Sequence, residues 1–178
     1  SLLYFLLIVH LIYLIMKALT KKFIPSLVAA ILFLAHPIHT ESVNWIAAGT
    51  ELTLAVFALL AVLFYIRWRQ SNSRKDLLFV YLWYFLAILS KEQGILLPLL
   101  FLLGDMVLFR IPVKQLLRWG EIRNYLWFAV PFILYMVMRI SVIGFALGGG
   151  YMQWTFSERV YVGVTLFAKY VSKIFYPY

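Results

Sequence analysis

Of the chain's 178 residues, 65% are hydrophobic, 19% aromatic and only 13% charged. A soluble domain carries about 45–50% apolar and about 25% charged residues, so a soluble enzyme, a disordered tail and a secreted disulfide scaffold are excluded, and the chain reads as an integral, multi-pass membrane protein. Without cysteine there is no thiolate metal site or redox centre, and the net charge of +9 is expected to face lipid headgroups, with no nucleic acid as partner.

The first apolar stretch follows Ser1 at once, without the basic n-region of a signal peptide, so the expectation is that either a segment has been removed or the chain is a piece of something longer. About 20 mostly apolar residues cross the hydrocarbon core. In chain order the candidate spans are Leu2–Met16, Phe23–Ile38, Leu52–Ile66, Leu77–Leu89, Ile95–Phe109 and Tyr125–Leu147, with a more marginal seventh at Val160–Phe175. Long, Leu-rich, unalternated runs predict helices rather than barrel strands. The expected fold class is therefore all-α: a single polytopic membrane domain over residues 1–178 with about six to seven transmembrane helices. Pro25, Pro37, Pro98 and Pro112 fall at or near span ends, whereas Pro131 is interior and predicts a kink.

The basic residues alternate. Lys17, Lys21 and Lys22 follow the first span, Arg67, Arg69, Arg74 and Lys75 the third, and Arg110, Lys114, Arg118 and Arg123 the fifth. All eleven fall on one side, with only Asp76 and Glu121 among them, and the positive-inside rule makes that side cytoplasmic. The mixed stretch Ile111–Asn124 is expected to lie as a short helix along the inner surface.

The opposite side holds a smaller set: His36-Pro37-Ile38-His39-Thr40-Glu41, then Glu51, then Ser90-Lys91-Glu92-Gln93-Gly94, with Arg139 well inside the sixth stretch. Ionisable groups at that depth usually line a polar cavity or pair with one another. The simpler alternative is that Lys91 and Glu92 decorate the headgroup level side by side and that Arg139 snorkels. His36, His39 and Glu41 have the donor types of a zinc or manganese site, although hydrogen-bonded structural histidines explain the spacing more simply. No cofactor is expected, a divalent metal being only the weaker option. His10 reads as a helix-packing residue, and Asp105 as a local cap or pair. Together the two acids, the lysine and the arginine on one side look like a site for an anionic, lipid-borne group.

The string His36-Pro37-Ile38-His39-Thr40-Glu41, an acid ten residues later, Ser90-Lys91-Glu92-Gln93-Gly94 and Leu102-Leu103-Gly104-Asp105 resemble the transmembrane O-mannosyltransferases that carry tetratricopeptide repeats, and their bacterial relatives. Ser157-Glu158-Arg159 and residues 169–178 resemble the region that family places after its sixth or seventh span. The resemblance implies a type C glycosyltransferase (GT-C) membrane domain. Such enzymes pass a sugar, usually mannose, from a polyprenyl-phosphate carrier to a protein acceptor on the non-cytoplasmic side; for a bacterial relative the membrane is the inner one. It also implies that Lys91 contacts the carrier phosphate with Arg139 as a second cation, while Glu41 and Glu51 orient sugar or acceptor hydroxyls or hold the cations; His36, His39 and Glu92 are counted with them as substrate-binding candidates. The family's general-base Asp belongs to a loop upstream of this chain, which is expected to begin at the family's second span, so the catalytic residue itself is unknown here. The family's Gly-Arg-Ala-Asp reads Ala48-Gly49-Thr50-Glu51, with Gly49 in place of Arg. The alternative reading is a non-catalytic membrane scaffold or accessory subunit, bound to other membrane subunits, that keeps the fold without the chemistry. A transporter finds no support, since no inverted repeat is visible.

Overall fold

Every expected span contains a helix, and what separates the helices is local chemistry. The computed structural model describes residues 1–37, 49–143 and 155–175, and among these no strand occurs. Helix α1 (Leu2–Thr20) ends where Lys21 adopts a left-handed conformation (φ 58°), its N–H returning to the Lys17 carbonyl. Helix α2 (Phe23–Ala35) follows after two residues, with Pro25 in its first turn, where a missing N–H breaks no bond. Helix α3 (Gly49–Ser71) and helix α4 (Arg74–Ser90) are joined by Asn72 and Ser73. Ser73 caps α4, its hydroxyl accepting from the Asp76 N–H. A 3-10 turn (Glu92–Leu96) then leads into helix α5 (Leu97–Val107), with Pro98 in its first turn.

On the basic side, the short helices α6 (Val113–Leu116) and α7 (Trp119–Leu126) occupy the stretch expected to lie along the inner surface, and α7 buries no residue. Helix α8 (Ala129–Ile143) follows, and helix α9 is Phe156–Phe175. The helical pattern is interrupted between α7 and α8, at Trp127 and Phe128, just before Pro131. The proline ring crowds the carbonyl four residues back, that of Trp127, which accepts instead from the Val130 N–H at 3.2 Å.

Among the described residues, three helical stretches are long and apolar enough to cross a membrane: Leu2–Thr20, Gly49–Ser71 and Trp119–Val142. Helix α2 is apolar but shorter. The chain therefore forms an all-α membrane domain.

The helices form a row, α2 against α1, α1 against α3, α3 against α4, and α4 against α8, with α5 touching α3. Two packed clusters hold it. Ile8 and Leu11 of α1 meet Leu52, Val56 and Leu63 of α3. Ala61, Tyr65 and Trp68 of α3 meet Val80, Tyr84, Ala87 and Ile88 of α4, Phe101 of α5, Phe128 and Tyr135. Ala61, Val80 and Ala87 are wholly buried, the small side chains that let two membrane helices approach closely. By contrast His10 lies on an exposed face of α1 with its ring 6.3 Å from Tyr13, so it is not the helix-packing residue expected.

Candidate functional site

This row puts the N-terminus of α3, the C-terminus of α4 and the C-terminal part of α8 at one end of the bundle, opposite the basic one. There the chain must turn from α4 into α5, and Lys91 does so in an extended conformation (φ −159°, ψ 141°). Successive side chains of an extended backbone point to opposite sides. Lys91 and Glu92, neighbours in sequence, thus reach different helices.

Lys91 Nζ donates to Glu51 Oε1 at 2.7 Å. Glu51 stands in the first turn of α3, where a carboxylate is favoured by the helix dipole, and Lys91 caps the C-terminus of α4, where a cation is favoured. Glu92 instead accepts from Arg139 Nη1, which also donates to the Tyr135 hydroxyl at 2.7 Å one turn away on α8. Two ion pairs therefore tie α3, α4 and α8 together. Lys91 and Glu92 therefore pair with other helices and not with each other, and Arg139 has a partner on the turn after α4. The Lys91 and Glu51 side chains are 31% and 54% exposed. An ion pair this open contributes under about 1 kcal/mol, so it opens at little cost.

Ser90, Lys91, Glu92 and Gln93 line one wall of a cavity of about 590 Å³, with Tyr135, Met138 and Arg139 of α8 on the other. Glu51 joins it through Lys91. His36, at the C-cap of α2, is not among the lining residues. His39 and Glu41 lie outside the described residues, and among those described no cluster of metal-binding side chains occurs. Tyr135 escaped the sequence reading; its signal was the i, i+4 spacing to Arg139 in an otherwise apolar helix.

The turn itself depends on Gly94. A Cβ there would stand 2.9 Å from both the Ala87 carbonyl carbon and the Ile88 nitrogen. At Gly49, where the resembling family has Arg, a Cβ would meet nothing within 4 Å.

A second polar cluster lies at the basic end. Arg69 of α3 bonds to the fully buried Asp105 of α5 and to Glu121 of α7 at 2.8 Å. Its Nε donates to the Tyr65 hydroxyl at 3.2 Å, which donates to the Phe101 carbonyl at 3.2 Å, and Tyr125 donates to Asp105 at 2.8 Å. Asp105 is thus no local cap: its partner is 36 residues away. Arg69, counted by sequence among the surface charges of the cytoplasmic side, is only 7% exposed.

Residues 1–138 match the family model described as dolichyl-phosphate-mannose-protein mannosyltransferase. The chain is similar to a protein O-mannosyl-transferase of Caenorhabditis elegans, 40% identical over 68 residues, 38% of this chain and 9% of that protein. It is similar also to the protein O-mannosyl-transferase TMTC4 of Homo sapiens, 43% identical over 77 residues, 39% of this chain and 10% of that protein. The protein O-mannosyl-transferase TMTC3 of Mus musculus is 41% identical over 73 residues, 39% of this chain and 8% of that protein. The matched stretch thus spans about a tenth of each relative's length. No solved structure gives a significant match.

Proposed function

The chain belongs to the dolichyl-phosphate-mannose-protein mannosyltransferase family, and from that premise we propose that it is part of the membrane core of a glycosyltransferase. Its donor is a polyprenyl-phosphate-linked sugar, mannose first, and its acceptor a protein on the non-cytoplasmic side, the periplasmic side of a bacterial inner membrane. The observation that carries this reading is the cavity at the non-basic end with Lys91 on one wall and Arg139 on the other.

In such a transfer the bond between the anomeric carbon and the phosphate oxygen breaks while the acceptor hydroxyl bonds to that carbon from the opposite face, inverting it. The phosphate leaves with the bonding pair. Lys91 Nζ and the Arg139 guanidinium stabilise that growing charge, an effect that operates in the transition state more than in the ground state. Before the donor arrives, Glu51 and Glu92 hold the two cations. A phosphate that displaces Glu51 from Lys91 leaves the carboxylate beside the sugar, where it accepts from a hydroxyl. The residue that takes the acceptor's proton is not assigned.

The test is affinity for a polyprenyl-phosphate sugar, measured on purified full-length protein in detergent. Lys91→Ala is expected to cost about 2–4 kcal/mol of binding, the loss typical when one partner is removed from a charge contact that the bound donor itself covers from water. Lys91→Arg keeps the charge and should retain part of the affinity. Unchanged affinity in Lys91→Ala, with the melting temperature also unchanged, would favour the second reading, a scaffold that keeps the fold without the chemistry. The observation on that side is Gly49, where the resembling family carries a further cation.

Sidedness has its own check. In this cysteine-free chain, Ser73→Cys between α3 and α4 should react with a membrane-impermeant maleimide only from the cytoplasm, and Gln93→Cys only from the opposite side. Reaction of Gln93→Cys from the cytoplasm alone would invert the orientation and remove the proposal's acceptor side.

A further inference from the structure

Helix α9 contributes no residue to the proposed site, and its chemistry is independent of that activity. Val160, Val164, Phe167 and Val171 recur at i, i+4, i+7 and i+11, so they share one narrow stripe, and all four are exposed. Glu158, Thr165, Lys169 and Ser172 fall on the opposite face, with Lys173 beside them. Tyr161 and Tyr170 sit at the two borders between the faces, both exposed. Helix α9 makes no extensive contact with another helix among the described residues.

Crossing the membrane is a poor use of these 20 residues. Lys169 would sit about 5 Å along the axis from the midpoint of Phe156–Phe175, in the hydrocarbon centre, where an ammonium is most costly. Accordingly α9 is not among the helices both long and apolar enough to span. A helix lying flat suits the stripe, the lysines and the tyrosines, and leaves Val162 and Leu166 on the side of the lysines. Its stripe dips into the acyl boundary, its lysines meet headgroup phosphates, and its tyrosines sit at the level where an amphipathic ring is most stable. Lys169 and Lys173 against the single acid Glu158 make that polar face complementary to anionic headgroups.

We infer that α9 is an interfacial helix that lies along the membrane surface and selects anionic lipid. The full chain is reconstituted into vesicles of phosphatidylcholine, with and without phosphatidylglycerol. Single cysteines at Val164, Val171 and Lys169 carry an environment-sensitive fluorophore. Quenchers are lipids spin-labelled near the headgroup or near the chain end, and aqueous iodide. The expected result is that Val164 and Val171 are quenched alike, and more strongly by the shallow lipid label, while Lys169 is quenched by iodide. A crossing helix would separate Val164 and Val171 by about 10 Å in depth, and a clear difference between them overturns the inference. So does insensitivity of Val164 to both lipid labels, which would mean that protein covers the stripe. The pair Lys169→Glu and Lys173→Glu should move the Val164 label towards water at least severalfold more in vesicles with phosphatidylglycerol than without. Equal behaviour in the two membranes overturns the anionic selectivity.

Discussion

Replacing Asp105 by alanine should destabilise the folded protein by about 3–5 kcal/mol, read as ΔΔG from reversible denaturation in detergent. Asp105 is fully buried and carries the charge that Arg69 needs; Glu121, the other partner of Arg69, is partly exposed. Removing the carboxylate leaves a nearly buried guanidinium with half its compensation and takes the acceptor from the Tyr125 hydroxyl. The same physics predicts a partial rescue. Taking both charges out, as Arg69→Met with Asp105→Leu, removes the penalty of the unpaired ion, so the double variant should be more stable than Asp105→Ala alone. If Asp105→Ala melts like the wild type, the pair is not what fixes α5 and α7 to α3.

That pair also shows where sequence reading stops. Arg67 and Arg69 are two residues apart, so on a helix they are rotated about 200° from each other. One lies against the Phe64 ring, the other between Asp105 and Glu121. Hydropathy treats them alike, because the acids that choose Arg69 come from α5 and α7 and only packing brings them near. The helices themselves were legible, because a Leu-rich apolar run in lipid satisfies its backbone groups within itself only as a helix. Their ends were less so. The apolar run from Ile95 gives its first residues to a 3-10 turn, and α2 stops at Ala35, short of the expected Ile38.

At the candidate site the charges were legible by depth, and their partners were not. Lys91 beside Glu92 reads in one dimension as a pair. The extended backbone at Lys91 sends the two side chains to α3 and α8, a consequence of one φ/ψ value that no residue pattern encodes. Arg139 found a partner across 47 residues, and Tyr135 entered the cavity wall without any charge to announce it. His39 and Glu41 lie outside the described residues, so their part in the site stays a proposal from the sequence motif alone.

The site's geometry then rests on a residue with no side chain, and Gly94→Ala should show it. The new methyl carbon would lie 2.9 Å from the Ala87 carbonyl carbon and the Ile88 nitrogen and 3.1 Å from the Ala87 oxygen. All three are backbone atoms of α4, so no rotamer change relieves the overlap. The 3-10 turn must lift away from α4, and Lys91 and Glu92, three and two residues upstream, move with it. Overpacking of this kind costs about 1–3 kcal/mol. The expected result is a lower melting temperature together with weaker binding of the polyprenyl-phosphate sugar, since Lys91 no longer faces Arg139 across the cavity at its native separation. Gly104→Ala is the matched control. It lies within α5, a Cβ there meets nothing within 4 Å, and alanine is favoured over glycine in a helix interior by roughly 0.5–1 kcal/mol. That variant should be as stable as the wild type or slightly more so, with donor binding unchanged. Should Gly94→Ala bind and melt like Gly104→Ala, close approach of the turn to α4 is not what positions Lys91.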